Sequence, residues 1–380
     1  MFEIYDIKTD PSGFLIKATF NMEGERKQIY FRSKGCKLTP NTEAFIAIGL
    51  LPCMKRGVSA LSIKGKVSSR FLTSLETIQY IFRSWYPKLS HVEIKNAISQ
   101  SKNSSKKKRV GMFFSGGVDS FYSLLKHRNE ISHLIFLHGY DIALDEKSLR
   151  RKTSNMVHQV ASFFDKKIVE IETNLRLFLD PYFKIQISHG AFLAGIGHLL
   201  YPQFNRIYIP ASRTYDDMHT LGSHLALDPL WSTEALEFVH DGCEASRAQK
   251  VMNISTHDIV LQNLRVCNWN PEEAYNCGRC EKCIRTMMSL YAAGALERCT
   301  TFENKLDMNR IPWSIIANKY ASVYFLDNLI ELERSGKHPE LVRSLKRKYE
   351  VGKLLRPGIY IYKKLYAKIF GKRKMSRFLK

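Results

Sequence analysis

The sequence predicts an α/β protein with a doubly wound, Rossmann-like parallel sheet, a cysteine knuckle and a small N-terminal α+β domain. Two observations carry the prediction of the sheet. Strand-like and helix-like segments alternate between residues 110 and 300, and a glycine-rich turn joins the first of these strands to its helix. Such alternation is typical of βαβ units, whose strands form a parallel sheet with helices on both faces.

Charge is the unusual feature of the composition. The chain has 380 residues, and 58 Lys and Arg against 36 Asp and Glu give a net charge of +22. This excess predicts an anionic partner, such as a nucleotide, a nucleic acid, an acidic lipid or an acidic glycan. We find no signal-peptide pattern, no run near the roughly 20 apolar residues of a spanning helix, and no disulfide framework. These features lead us to expect a cytoplasmic protein in a reducing compartment.

A first, small α+β domain is predicted over residues 1–98. The stretch FLIKATFNMEGERKQIYFR alternates on both sides of Gly24, which predicts a hairpin. Two helices should follow, one ending near Pro52 and one opening with Thr73 and Glu76 in capping-box spacing. The polar, basic stretch at 99–109 then predicts a linker, with a nucleic-acid-binding arm as the alternative.

The alternating elements lie in residues 110–300. The predicted strands are RVGMFF, ISHLIFLHG, KKIVEIET and NRIYIPAS, with helical patterns between them. Ligands of parallel sheets bind at the carboxyl ends of the strands. The stretch SGGVDS, residues 115–120, follows the first strand and should therefore lie at such an end.

The residues of SGGVDS suit a phosphate group. A tight turn before a helix gathers backbone N–H groups at the positive end of the helix dipole. Gly116 and Gly117 let an anion approach without a Cβ in the way. The pattern is neither a Walker A loop nor a dinucleotide fingerprint. Because Asp119 would repel a phosphate, its presence predicts a bridging Mg²⁺ ion.

SGGVDS resembles the Ser-Gly-Gly-x-Asp-Ser loop of the N-type ATP pyrophosphatases. This resemblance implies a Rossmann-like ATP pyrophosphatase core that cleaves ATP between its α- and β-phosphates. An acceptor oxygen would become an AMP ester, while the loop and Mg²⁺ stabilise the leaving pyrophosphate. The implied ATP-binding residues are Ser115, Gly116, Gly117, Val118, Asp119 and Ser120, with His138 and Gly139 at the adenine. The implied catalytic residues of the loop are Ser115, Asp119 and Ser120.

A second motif is CNWNPEEAYNCGRCEKC. It holds four cysteines within a short span, Cys267, Cys277, Cys280 and Cys283. Four thiolates at this spacing suit a tetrahedral Zn²⁺ ion, and a glycine after Cys277 allows a tight knuckle. An iron–sulfur cluster also takes four cysteines and is the alternative.

The two motifs together resemble 7-cyano-7-deazaguanine synthase-like proteins over about residues 110–298. That family converts a carboxylate into an amide and then a nitrile with ATP and ammonia, and its zinc site is structural. The family's substrate segment, rich in Tyr-Pro-Asp-Cys-Arg, is absent from this sequence. The resemblance therefore implies the ATP chemistry with a different acceptor.

Residues 214–251 replace that substrate segment. The first part is a loop with polar and aromatic residues, Asp216, Asp217, His219, His224, Asp228 and Trp231. We predict that this loop lines the acceptor pocket, because binding residues usually lie on such loops. His224 would be a catalytic residue that donates to the acceptor or shuttles a proton, and Trp231 would be an apolar wall or stacking face.

The second part of this segment has a helical pattern. It should form one helix, or two helices broken at Gly242. Charged residues recur at one-turn spacing, which predicts a salt-bridged helix face of Asp241, Glu244, Arg247 and Lys250.

Residues 301–380 should form a helical extension with a basic amphipathic tail. The last forty residues hold 14 Lys or Arg and one acid, Glu350. Such a helix can lie on an anionic membrane, bind RNA or pack on its own enzyme. The first alternative would place the protein at the inner face of the membrane.

The predicted function is that of a ligase. It would adenylate a carboxylate or carbonyl oxygen of an acidic small molecule, peptide or glycan and transfer nitrogen to it from ammonia or an amine. Its cofactors would be ATP, Mg²⁺ and Zn²⁺. Two alternatives stay open: a tRNA-thiolating enzyme of the same superfamily, in which Cys243 would carry a persulfide, and a nucleotide-sensing module without turnover.

Overall fold

The computed structural model describes residues 2–22, 24–101, 109–180, 185–302, 306, 311, 316 and 321–370, without the side chains of 272, 321 and 356–370. Its contacts divide the chain into two units. The first unit is Met1–Ser115 with Ser123–Glu244, and the second is Gly116–Tyr122 with Ala245–Lys380. The predicted linker at 99–109 does not coincide with this division, and its residues 102–108 lie outside the described part.

The first unit is built on one ten-stranded, mostly parallel sheet. Its strands are, in chain order, β1 Phe2–Thr9, β2 Leu15–Met22, β3 Glu25–Lys34, β4 Ala60–Ser68, β5 Glu93–Gln100, β6 Val110–Phe113, β7 His133–His138, β8 Lys167–Thr173, β9 Arg206–Pro210 and β10 Glu237–Asp241. Their order across the sheet is β10-β9-β6-β7-β8-β3-β2-β1-β4-β5.

Strands β6 to β10 form a wholly parallel half of this sheet. β6 comes first in the chain but lies in the middle, with β7 and β8 on one side and β9 and β10 on the other. This is the strand order of doubly wound sheets, where ligands bind outside the carboxyl ends of the strands at which the order reverses. The prediction of an α/β fold with a largely parallel sheet is confirmed.

The N-terminal strands extend the same sheet. β3 pairs antiparallel with β8, from Phe31↔Thr173 to Lys34↔Glu170. The described N-terminal strands therefore share one sheet with β6 to β10. The physical reason is that a parallel half ending at β8 would leave an open edge of unpaired backbone groups, which β3 covers. The hairpin around Gly24 is confirmed, since β2 and β3 pair in register.

Six helices of the described chain accompany these strands. They are α1 Thr42–Arg56, α2 Ser69–Trp85, α3 Val118–Lys126, α4 Lys147–Phe163, α5 Leu175–Leu179 and α6 Ile185–Leu199. α3 begins in the second unit and continues in the first. α1 packs against α6, while α4 packs on β7 and β8. Phe20 lies at the centre of the aromatic core. The rings of Phe2, Phe45 and Phe178 contact it edge-to-face, with ring centroids 5.7, 6.4 and 5.5 Å away.

Two predicted helix boundaries are wrong. α1 does not end near Pro52 but continues to Arg56 and is closed by Gly57, whose φ is 68°. A proline inside a helix removes one backbone hydrogen bond, and here Cys53 and Met54 stay helical because they are fully buried in the core. α2 starts earlier than its predicted capping box, since the hydroxyl of Ser68 accepts from the backbone N–H of Phe71.

The predicted helix over the second part of 214–251 is wrong in its first half. Residues Glu237–Asp241 form β10 and pair in parallel with β9. A turn at Gly242 then separates this strand from the next helix, which begins at Arg247. Asp241 and Glu244 therefore do not share a helix face with Arg247.

The second unit is helical where it is described beyond residue 245. Its helices are α7 Arg247–Ile254, α8 Asp258–Leu261, α9 Glu281–Ala292, α10 Ala321–Arg334 and α11 Pro339–Phe370. α7, α9 and α10 pack against one another, and α11 packs on α10. The predicted aromatic stripe of the basic tail lies beyond the residues whose side chains are described. No helix among the described residues is both long and apolar enough to span a membrane.

Gly35 offers a test of how strongly the fold depends on the contact between β3 and β8. A Cβ added at Gly35, whose φ is +90°, would lie 2.2 Å from the carbonyl oxygen of Ile168 in β8. Gly24 has the matching φ of +91° with nothing within 4 Å. Both alanine variants should lose about 1–2 kcal/mol for the left-handed backbone, and Gly35→Ala should lose roughly 2 kcal/mol more for the clash.

The measurement is chemical denaturation of wild type, Gly24→Ala and Gly35→Ala, followed by circular dichroism. Equal losses in the two variants would show that β8 yields to the added methyl group. In that case the pairing of β3 with β8 would not constrain the first unit.

Candidate functional site

The SGGVDS stretch forms a turn between β6 and α3. The carbonyl of Gly116, whose φ is 74°, accepts a hydrogen bond of 2.8 Å from the backbone N–H of Arg265. α3 starts at Val118, so Asp119 lies in its first turn. The hydroxyl of Ser120 donates to the carbonyl of Gly117 at 3.0 Å. This is the strand–turn–helix context that the sequence predicted for a phosphate-binding loop.

Asp119 forms ion pairs with two cations of α7. Arg247 Nη1 lies 2.9 Å from Asp119 Oδ2, and Lys250 Nζ lies 3.5 Å from Asp119 Oδ1. The side chains of Arg247, Lys250 and Asp119 are largely buried, with exposed fractions of 9, 1 and 17%. The salt-bridged face predicted for Arg247 and Lys250 is thus corrected, because their shared partner is Asp119 on α3.

The other two members of that predicted face belong to a different cluster. Asp241 accepts from Ser123 at 2.6 Å, from Lys126 at 2.8 Å and from a ring nitrogen of His127 at 2.9 Å. Lys126 also contacts Glu244 at 2.6 Å. The cause is that Asp241 ends the strand β10 and is not part of α7.

A third buried cation, Arg285, lies near Arg247 and Asp119. Arg285 on α9 pairs with Glu281 at 2.9 Å and lies over the ring of Tyr324 at 3.9 Å. Burial lowers the pKa of Arg285, and the nearby charge of Arg247 lowers it further. Within the described residues, Nε of Arg247 and Nε of Arg285 have no hydrogen-bond partner. The cluster therefore has unused donors for an anion.

His138 lies in a polar network at the end of β7. Its Nε2 donates to Glu170 at 2.8 Å, and its Nδ1 accepts from Nε of Arg150 at 3.4 Å. Burial tends to raise the pKa of Glu170, but hydrogen bonds from His138 and two further side chains outweigh it and lower that pKa to about 2. Both ring nitrogens are thus engaged with protein groups. The adenine contact of His138 stays a prediction that would require this network to rearrange.

Gly139 has a packing role of its own. Its φ is 79°, and a Cβ there would lie 2.1 Å from the carbonyl oxygen of Thr173 at the end of β8. The close approach of the two chain segments accounts for this glycine without a ligand.

The structure corrects the prediction for one residue of the loop over 214–232. Trp231 is fully buried and packs on Phe71 with the ring centres 6.1 Å apart. It is a core residue, so its predicted role as a substrate wall is wrong. His224 is partly exposed and meets the ring of Trp85 edge-on at 4.8 Å. Burial and then the nearby His240 lower the pKa of His224, which favours a neutral imidazole near pH 7.

Sequence reasoning missed His240. Its Nδ1 donates to Asp228 Oδ2 at 2.7 Å, and the hydroxyl of Ser223 donates to the same oxygen at 2.6 Å. Cys243 also lies close enough to interact electrostatically with the His240 ring. Burial tends to lower the pKa of His240, but its interactions with Asp228 and Cys243 raise it to about 9. The alternation of Glu-Phe-Val-His-Asp, read as a strand, would have been the available signal.

The four predicted metal ligands lie together. The sulfur atoms of Cys267, Cys277, Cys280 and Cys283 are all within 4.8 Å of one another. Backbone N–H groups of Asn270 and Cys280 donate to Cys267 Sγ and Cys277 Sγ, each at 3.3 Å. Such N–H···S bonds stabilise thiolates, and the four-sulfur donor set fits Zn²⁺.

The pKa shifts of two of these thiols reflect their close contact. Hydrogen bonds from Cys280 and Cys283 lower the pKa of Cys267. Hydrogen bonding to Cys267, then to Cys280, and burial raise the pKa of Cys283. Thiolates packed this closely repel one another, so a cation such as Zn²⁺ would favour their ionised form.

No protein-family model, no curated protein and no solved structure matches this chain. What the chain does is therefore inferred from its own residues.

The metal prediction is one zinc ion per chain and no absorption in the visible range. Cys280→Ser should lose the zinc and lower the melting temperature, because a structural metal contributes folding free energy. The matched control is Cys36→Ser, which removes a half-buried thiol outside the cluster and should keep the zinc. Elemental analysis and thermal unfolding are the measurements. A brown protein that contains iron and acid-labile sulfide would show that the four cysteines hold an iron–sulfur cluster and not zinc.

Proposed function

We propose that this chain is an ATP-dependent ligase. It adenylates a carboxylate or carbonyl oxygen of an acceptor with release of pyrophosphate, and it then transfers nitrogen to the activated carbon with release of AMP. The resemblance of SGGVDS to the N-type ATP pyrophosphatases and the strand order of the sheet support this proposal. The observation that carries it is the pair of buried cations, Arg247 and Lys250, held against Asp119 in the first turn of α3.

Buried charge is the physical reason for inferring an anionic ligand. Burying a cation is costly unless an opposite charge and hydrogen bonds compensate it. Asp119 supplies one negative charge to Arg247 and Lys250, and Glu281 supplies one to Arg285. Among these described side chains, three cations thus face two acids. A pyrophosphate group would add negative charge there and could accept from Nε of Arg247 and Nε of Arg285, which have no hydrogen-bond partner among the described residues.

Asp119 would change partners in the working enzyme. Without a ligand its carboxylate neutralises Arg247 and Lys250. Mg²⁺ prefers carboxylate and phosphate oxygens. Magnesium–ATP would therefore attract Asp119 to the metal and leave the two cations for the leaving pyrophosphate, which is the group that gains charge in the reaction.

The remaining parts of the proposal follow from the sequence. The net charge of +22 favours an acidic acceptor. Ammonia or an amine would supply the nitrogen, and His224 would hold or deprotonate one of the reactants. The four cysteines would hold zinc as a structural ion.

A second candidate is sulfur transfer to RNA. Cys243, which interacts electrostatically with the buried side chain of His240, favours it, because a cysteine could carry the sulfur to be transferred. Incorporation of labelled sulfur into RNA during ATP cleavage would select this candidate over nitrogen transfer.

The proposed reaction predicts AMP and pyrophosphate in equal amounts. ATP labelled at the α-phosphate, Mg²⁺ and a fractionated extract of small molecules would be incubated with the protein, and the products separated. Cleavage between the α- and β-phosphates places the label in AMP. Label in ADP, with release of phosphate, would refute the proposal.

The cation pair predicts a specific loss of pyrophosphate binding. Lys250→Ala should weaken binding of pyrophosphate by roughly tenfold or more, because it removes a charge-assisted contact. The control is Lys126→Ala, which removes a cation of α3 paired with Asp241 and Glu244 and should leave binding unchanged. Arg247→Lys keeps the charge but loses the planar fork, so it should bind more weakly without unfolding. Titration calorimetry with pyrophosphate measures all three, and wild-type affinity in Lys250→Ala would exclude this cluster as the site.

A further inference from the structure

A short segment, residues 264–267, joins the four-cysteine site to the turn at residues 116–120. The segment ends at Cys267, the first of the four cysteines. Two residues earlier, the backbone N–H of Arg265 donates to the carbonyl of Gly116 at 2.8 Å. All of these residues belong to the second unit. Since residues 264–267 lie in neither a strand nor a helix, their backbone groups must be paired by other contacts.

The side chain of Asn276, which precedes the second cysteine, pairs these backbone groups. Its Oδ1 accepts from the backbone N–H of Val266 at 2.9 Å and from that of Cys267 at 3.2 Å. Its Nδ2 donates to the carbonyl of Leu264 at 2.8 Å and to that of Thr301 at 3.3 Å. An asparagine side chain offers two donors and two acceptor sites, so its capacity is used in full. One side chain thus fixes the backbone on both sides of residue 265.

The side chain of Arg265 also contacts the four-cysteine site. Its Nη2 donates to Asn270 Oδ1 at 3.2 Å, and the backbone N–H of Asn270 donates to Cys267 Sγ at 3.3 Å. The guanidinium is buried, and among the described residues no acid forms an ion pair with it. Four thiolates around one Zn²⁺ carry a net negative charge, which stabilises a buried cation nearby. A filled metal site would therefore favour the observed position of Arg265.

The bond from Arg265 fixes the direction of one peptide group in the turn. In a trans peptide the C=O and the following N–H point in opposite directions. Because the carbonyl of Gly116 is directed to Arg265, the N–H of Gly117 is directed to the other side of the turn. Two glycines flank this peptide, so either orientation is accessible at small cost. The hydrogen bond from residue 265 selects one of them.

We propose that the four-cysteine site positions the anion-binding turn, and that Asn276 is the positioning residue that connects the two. As far as pyrophosphate is the anion, the proposal rests on the proposed function. Arg265 keeps the carbonyl of Gly116 away from the anion, and the N–H of Gly117 faces it. A carbonyl turned toward the anion would repel it and would remove one donor. Because the metal holds the cysteines next to this link, metal binding raises the affinity of the turn for pyrophosphate.

Hydrogen exchange tests this positioning without any ligand. Asn276→Ala removes the bonds that hold residues 264–267, so the amides of Arg265 and of residues 116–122 should exchange roughly tenfold faster. The matched control is Asn263→Ala, another buried asparagine, whose Nδ2 donates instead to the carbonyl of Ile259 at 2.8 Å. It should leave exchange at 116–122 unchanged. Mass spectrometry of the peptides measures exchange, and elemental analysis should find that both variants keep their zinc.

Removal of the metal from the wild-type protein is the second measurement. Chelation should speed exchange at 116–122 and weaken pyrophosphate binding roughly fivefold in titration calorimetry, and added Zn²⁺ should restore both. Exchange in α10 serves as the reference for general unfolding of the second unit. Asn276→Ala should bind pyrophosphate as weakly as the metal-free protein while it keeps its zinc, and Asn263→Ala should bind like the wild type.

Two results would overturn the positioning role. One is unchanged exchange at 116–122 in zinc-loaded Asn276→Ala, and the other is equal acceleration at 116–122 and in α10, which would show general unfolding. If Asn276→Ala lost its zinc, faster exchange at 116–122 alone after chelation of the wild type would support the link. The expected exchange in a wild-type protein that never binds pyrophosphate would support the positioning role and refute the proposed function, so the two failures are distinguishable.

Discussion

The antiparallel pairing of β3 with β8 is the interaction on which the first unit depends. It joins the N-terminal strands to the parallel half in one sheet and covers the edge of β8. Side chains reinforce this joint: the hydroxyl of Tyr30 donates to Glu172 at 3.1 Å, and the backbone N–H of Tyr30 donates to the side chain of Asn174 at 3.0 Å. Glu172 also pairs with Arg150, which donates to His138. The polar network at the end of β7 is therefore tied to the N-terminal strands.

The parts of the fold that the sequence predicted are those with local causes. The hairpin follows from alternation around Gly24, and the strand–turn–helix of SGGVDS follows from residues adjacent in the chain. The cysteine cluster was predictable because ligand spacing and chemistry suffice. The pairing of β3 with β8 was not, because it joins residues about 140 positions apart and no short pattern specifies such a partner. Burial also overrode local preference at Pro52, where the core keeps the helix intact.

The structure distinguishes exposed cations from buried ones, which the amino-acid composition cannot do. A net charge of +22 predicts an anionic partner without saying where it binds. Most surface cations interact weakly because water screens them. Arg247 and Lys250 differ because they are buried, share one carboxylate and come from a single turn of α7. Their spacing of three residues was visible in the sequence. Their partner was not, because Asp119 lies on α3, more than a hundred residues earlier.

In the loop over 214–232, one short turn holds both a packing residue, Trp231, and a charged residue, Asp228. Trp231 and Asp228 are the two ends of one 3-10 turn, and both are fully buried. The indole packs on Phe71, and Nε2 of His198 donates to the carbonyl of Trp231 at 2.9 Å. A residue anchored in this way fixes the turn, and the turn presents the carboxylate to His240. The aromatic residue that looked functional thus serves as the anchor, while the acid in the same turn pairs with His240. Oδ2 of Asp228 is stabilised in this core by the hydrogen bonds from Ser223 and His240.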